Sequence, residues 1–142
     1  MEYYCSYQER CYKEVEEKFY HYKLTSTEKE QLLVYLIENN FINEERFAKS
    51  FVRGKHNYKN WGRNRIIQEL KFRNISSKLI EIALQEIDVD EYFSHFNVLA
   101  EKYWGNINEQ IGQKKNKKFV DYFIRKGFEY NLIFEKLNEL NH

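Results

Sequence analysis

Not one proline interrupts this chain of 142 residues, and only five glycines do. Proline fixes φ, removes a backbone donor and so breaks helices. Without it the chain is free to run helix after helix. Its apolar residues recur every three or four positions, as they do on helices buried along one face. Tyr7, Cys11, Val15 and Phe19 step by four and predict a first helix. Leu32, Leu33, Leu36 and Ile37 predict a second, ending at Asn39-Asn40, and Phe47, Phe51 and Val52 a third. A fourth follows from Ile66, Ile67 and Leu70, and a fifth from Leu79, Ile80, Ala83, Leu84 and Ile87. Phe93, Phe96, Ala100 and Tyr103 mark a sixth, Phe119, Val120, Phe123 and Ile124 a seventh, and Leu132, Ile133, Leu137 and Leu140 an eighth. No stretch alternates as a strand does. The expected fold is all-α.

Helix ends are legible as well. Gly62 reads as an N-cap, with Trp61 before it and Ile66 four into the helix, the spacing of a hydrophobic staple. Ser76 or Ser77 can cap the next helix, and Thr25, Ser26 or Thr27 an earlier one. Gly127 after Arg125-Lys126 reads as a helix C-terminus with cations beside its last carbonyls.

The apolar pattern repeats. Advancing by 53 residues carries Ile66, Ile67, Leu70, Ile75, Leu79, Ile80 and Leu84 onto Phe119, Val120, Phe123, Phe128, Leu132, Ile133 and Leu137. A shift of 51 carries Val15, Phe19 and Leu24 onto Ile66, Leu70 and Ile75. Units of about 50 residues bury thin cores, and stacking them in tandem is the usual remedy. The expectation is three helix-turn-helix-like repeats, each of three helices, in an elongated, curved arrangement. They span 1–42 (leading helix shortened), 43–88 and 89–142. The segment 105–118, GNINEQIGQKKNKK, is expected as a polar, mobile connection.

Several function classes are excluded by what the sequence lacks. It has no 18-residue apolar run for a membrane span and no apolar segment after Met1 for a secretory signal. Cys5 and Cys11 are six apart, and His21, His56, His95 and His142 are scattered, so no metal set is expected. Both thiols are expected reduced, in the cytoplasm. There is no phosphate loop, no HExxH and no GxSxG. We expect no enzyme, no catalytic residue, no cofactor and no small-molecule substrate, and a monomer.

Charge is segregated beneath a net +1. Residues 1–45 hold five Lys/Arg against ten Asp/Glu, and residues 79–91 hold five acids and no base. Between them, residues 53–78 hold eight Lys/Arg against one acid, including most of HNYKNWGRNRIIQELKFRNIS, residues 56–76. Such a stretch attracts a polyanion or an acidic protein surface. Helix-turn-helix proteins read bases with the start of their last helix. Here that helix opens SSKLIEIALQEID, with Glu81, Glu86 and Asp88, which suits phosphates poorly. Operator recognition is therefore not expected. The candidate contacts are Arg53, Lys55, Lys59, Arg63, Arg65, Lys71 and Arg73, and a second cluster, Lys114, Lys115, Lys117 and Lys118, one repeat on. Two basic sites a repeat apart suit a long filamentous target. Phe72 lies opposite the core stripe of its helix and needs a neighbour repeat or a partner.

NNFINEERFAKSFVRGK followed by NWGRNRIIQELKFRNIS resembles the signature of the RecX family, regulators of the RecA recombinase. The matching positions are Phe41, Ile42, Asn43, Arg46, Phe47 and Ala48, then Gly62, Arg65, Ile66, Glu69 and Leu70. The resemblance extends over practically the whole chain. Two departures stand out. Asn40 takes the place of a glycine, which asks asparagine to adopt positive φ. Cys11 replaces a serine cap, so its helix start is expected to be less well capped. The resemblance implies tandem three-helix units that bind the RecA–single-stranded DNA filament in its groove and inhibit ATP hydrolysis and strand exchange. Recombination, DNA repair and the SOS response would be the setting. The alternative that the residues leave open is direct, non-sequence-specific binding of single- or double-stranded DNA.

Overall fold

The computed structural model describes residues 1–142. It contains nine helices and no strand. In chain order they are α1 (Glu2–Tyr7), α2 (Tyr12–Phe19), α3 (Ser26–Glu38), α4 (Glu44–Lys59), α5 (Arg63–Phe72), α6 (Ser77–Leu84), α7 (Val89–Asn106), α8 (Gln113–Lys126) and α9 (Tyr130–Leu140). The all-α expectation holds, with nine helices where the spacing suggested eight.

The extra helix comes from a break in the first. Gln8 is extended, at φ −157°, and Cys11 is the N-cap of α2 rather than a residue inside it. Tyr7 points to solvent at 71% exposure, so the four-residue step from Tyr7 to Cys11 is a coincidence of spacing. Arg10 helps end α1. Its Nε donates to the Tyr4 carbonyl at 3.1 Å while its guanidinium lies 3.8 Å from the Tyr4 ring centre. The Cys11 start is better capped than expected, because the Glu14 carboxylate accepts the Cys11 N–H at 3.1 Å.

Two further expectations are corrected. The lysines of the 105–118 segment do not sit in a loop, since α8 already begins at Gln113. Gln and Lys are good helix formers, and nothing in QKKNKK breaks a helix. Tyr92, not Phe93, is the inward residue at the start of α7; it is fully buried, while Phe93 stays 37% exposed. A phenol can be buried there because its hydroxyl finds a partner, described below.

The repeat is written into the backbone. Thr25, Ser76 and Glu129, equivalent under the sequence shifts, are the N-caps of α3, α6 and α9. Thr25 accepts the Glu28 N–H at 3.1 Å, and Glu28 returns the bond from the Thr25 N–H at 3.0 Å. Ser76 accepts the Leu79 N–H at 3.3 Å. The turns before α6 and α9 close alike: Ile75 N–H to Leu70 O and Phe128 N–H to Phe123 O, both at 3.1 Å. Each passes through one left-handed residue at the same register, Asn74 at φ 60° and Gly127 at φ 93°. Asn40 at φ 62° does what the sequence asked of it.

Two compact units emerge. Unit 1 comprises 1–53 and 69–86, and unit 2 comprises 54–68 and 87–142. In unit 1, Cys5, Val15, Phe19, Leu36 and Ile42 form a buried cluster, with Leu24, Leu32, Leu33 and Phe41 packed against it. Phe72 of this unit remains 67% exposed, and its neighbour is a cation: Lys13 Nζ lies 3.7 Å from its ring centre and donates to its carbonyl at 2.7 Å. Unit 2 is built on rings. Phe96 meets Phe128 at 5.0 Å and Phe123 at 5.4 Å, and Phe119 meets Phe123 at 4.9 Å and Trp104 at 5.7 Å. Tilted and edge contacts of this kind add to the area these rings bury.

Candidate partner-binding surface

The cations that the sequence groups together meet different fates. In unit 1, Arg53 forms a short ion pair with Glu86. Arg73 bonds Glu69 one turn back, at 2.8 Å to the carboxylate and 2.9 Å to the carbonyl, with Phe51 beneath it at 4.9 Å. Lys71 is exposed. The expectation of a basic face clear of the protein's own carboxylates is therefore corrected for Arg53 and Arg73. The pairing carboxylates come from the acidic stretch that follows and from the stretch's one acid.

Arg63, in unit 2, is held inside a network. Its guanidinium stacks 3.9 Å from the Tyr92 ring centre and pairs with Glu129 at 3.0 Å. Its backbone N–H donates to the Tyr92 hydroxyl at 3.1 Å, and that hydroxyl donates to Glu129 in turn. Burial, then the Glu129 carboxylate, drives the Tyr92 phenol far above its usual pKa, so it stays a donor. Glu129 is thus committed to Arg63 and Tyr92 and makes no cap bond at α9.

Arg65, two residues on and so on the opposite side of α5, lies in a different setting created by two glycines. The start of α5 abuts the end of α8: Gly62 N–H donates to Lys126 O at 2.7 Å and Asn64 N–H to Gly127 O at 2.9 Å. The unsatisfied donors of one helix thereby meet the unsatisfied acceptors of the other. A Cβ on Gly62 would lie 2.5 Å from Gly127 backbone, and one on Gly127 would lie 2.3 Å from Arg65 Cβ. Only glycine permits that approach. It brings together Lys59 at the end of α4, Arg65 in the first turn of α5, and Arg125 and Lys126 at the end of α8. Arg65 donates to Arg125 O at 3.2 Å, and Lys126 Nζ donates to Lys59 O at 3.1 Å. Trp61 packs beneath the Arg65 guanidinium at 4.1 Å and near Lys55 Nζ at 5.0 Å. None of these four cations joins a salt bridge. Lys126 is held below the usual lysine pKa by burial first, then by Arg65, Lys59 and Arg125.

The second predicted cluster stands on the first turns of α8. Lys117 pairs with Asp121 at 2.7 Å, Lys118 with Glu109 at 3.0 Å, and Lys115 lies 4.3 Å from the Trp104 ring centre. Lys114 is exposed. Arg125 and Lys126 were not among the predicted contacts. The signal was present in the cations preceding Gly127, which read only as a helix terminus.

The fold and surface together define a class: an all-helical protein built on a recurring three-helix plan, with a cationic surface. Residues 43–84 match the description "RecX, second three-helix domain" and residues 90–137 match "RecX, third three-helix domain". Regulatory protein RecX of Clostridioides difficile (strain 630) is 30% identical over 111 residues, 78% of this chain and 52% of that protein. Regulatory protein RecX of Vibrio campbellii is 31% identical over 104 residues, 73% of this chain and 65% of that one. The crystal structure of RecX from Lactobacillus salivarius superposes with a TM-score of 0.80 at 28% identity, covering 97% of this chain and 90% of that one. The chain belongs to the RecX family. It spans about half the length of the C. difficile relative. No helix is long and apolar enough to cross a membrane.

Proposed function

We propose that this chain is a non-enzymatic regulator of homologous recombination and DNA repair. It binds the RecA–single-stranded DNA filament and inhibits its ATPase and strand exchange. The relatives are named regulatory proteins, and the observation that carries the reading here is the set of unit 2 cations without carboxylate partners. Of the predicted cations, the contacts are Lys55, Lys59, Arg65, Lys71, Lys114 and Lys115, because Arg53, Arg63, Arg73, Lys117 and Lys118 are held by the chain's own carboxylates, and they act from a cytoplasmic monomer. Occupying a filament groove needs no chemistry from the bound protein. Binding one filament state better than another shifts RecA's assembly and turnover by that difference in affinity. Contact through more than one repeat raises avidity without a deep pocket.

The test is a titration of this protein into RecA, single-stranded DNA and ATP. Hydrolysis is expected to fall as the protein saturates the filament. Unchanged hydrolysis and filament length at micromolar concentration would reject the reading.

A further inference from the structure

Three arginines of the basic stretch, Arg53, Arg63 and Arg73, are neutralised by the chain itself, whereas Lys59 and Arg65 converge with Arg125 and Lys126 on one place. We propose that Lys59, Arg65, Arg125 and Lys126 form a single phosphate-binding site whose occupant is the backbone of a nucleic-acid strand. This deepens the proposed reading by naming the contact through which a filament's own strand would be met.

Three helix ends build the site. Arg65 spends one donor on the Arg125 carbonyl and Lys126 one on the Lys59 carbonyl. A guanidinium has five N–H donors and an ammonium three, so most remain available to a ligand. The Trp61 ring under Arg65 fixes the guanidinium plane, which lowers the entropy lost on binding. The cluster is also frustrated without a ligand. Burial first, and then its own members, hold Lys126 below the usual lysine pKa, and no carboxylate relieves them, whereas Arg53, Arg63, Arg73, Lys117 and Lys118 each face one.

The occupant follows from that one-signed character. Protein surfaces intersperse acids with bases, and an acidic protein patch would bring its own cations towards the site. A phosphodiester strand carries a negative charge at every nucleotide and no positive one. Phosphate contacts fix position and carry no sequence information, in keeping with α6 and the turn after it, where Lys78 is outweighed by Glu81, Glu86 and Asp88.

The experiment measures anisotropy of a labelled oligothymidine across a salt series, without RecA. R65Q/K126Q is expected to lose about tenfold in affinity. Its slope of log K against log salt should become shallower by about 1.4, the change for neutralising two fewer phosphates on a single strand. R53Q/R73Q, removing the paired arginines, should stay within about twofold of the parent. If R65Q/K126Q melts lower, K59Q/R125Q gives the same readout with side chains that brace no neighbouring helix. Equal loss in R53Q/R73Q, no binding by the parent, or displacement by polyglutamate as effective per charge as by oligonucleotide would each overturn the assignment. The last would make the site a dock for an acidic protein. RecA ATPase inhibition is scored separately on the same proteins. Failure of inhibition by the parent defeats the filament reading and leaves the oligonucleotide result standing.

Discussion

The two compact units leave different parts of the same basic stretch without a carboxylate. In unit 1, Arg53 and Arg73 fold back onto Glu86 and Glu69. In unit 2, Arg63 likewise pairs with Glu129, but Lys59 and Arg65 meet Arg125 and Lys126 with no carboxylate among them. The difference does not come from cation density, which is similar along residues 53–73. It comes from what the backbone brings alongside: a glutamate one turn back on α5 and another just past α6 in one unit, and another helix's C-terminus in the other. Charge available to a partner is a property of packing, and counting lysines and arginines overestimates it.

The glycine contact behind this difference is the place to break it hardest. Gly127→Ala puts a Cβ 2.3 Å from Arg65 Cβ at a φ of 93°. Left-handed strain and overpacking together should cost about 3 kcal/mol or more, read by urea denaturation. The equivalent turn of unit 1 already holds a side chain at φ 60°, so Asn74→Ala should cost only about 1 kcal/mol. Equal costs would mean that the α5–α8 junction is no tighter than an ordinary turn.

Arg63→Ala comes next. It removes the guanidinium that pairs with the partly buried Glu129 and stacks on the buried Tyr92 ring, while keeping the backbone N–H to the phenol, and should cost about 1–2 kcal/mol. A fall in melting temperature would mark Arg63 as part of the fold. A stable variant with weakened target binding would instead restore it to the contact surface.

A smaller effect distinguishes unit 2 by acidity. His95 bonds Asn60 Oδ1 at 3.0 Å, its ring is 4.8 Å from that of His56, and burial first and His56 second hold its pKa below 6.5. The unfolded chain therefore takes up a proton near pH 6.5 that the folded chain resists. Stability contributed by neutral His95 is present above that pH and is lost as pH falls through the folded value. Melting temperature should drop between pH 7.5 and 5.5, and His95→Gln should flatten the drop. The smallest change is expected for Arg53→Ala. Its half-exposed ion pair is worth about 0–1 kcal/mol, so denaturation curves should nearly superimpose.

Much of this was legible beforehand. Helices with buried stripes such as Ile66–Leu70 and Phe119–Phe123 followed from spacing, and the caps at Thr25, Ser76 and Gly127 from local backbone chemistry. The break at Gln8–Arg10 was hidden because Tyr7 happens to sit in step with Cys11, and periodicity cannot tell a continued face from a coincidence. The site was half legible. Composition located the cations, but whether Arg73 faces Glu69 or Arg65 faces Lys126 depends on contacts between distant segments. Gly62 and Gly127 were each read as a helix terminus; that they touch is a fact of tertiary structure.

Trp61 lies near two cations, Arg65 and Lys55. Indole emission responds to nearby charge, so the molecule carries its own optical reporter. Any ligand that draws the guanidinium off the ring should alter the fluorescence without a dye, and the sign and speed of that change would show whether Arg65 moves before or after the ligand arrives.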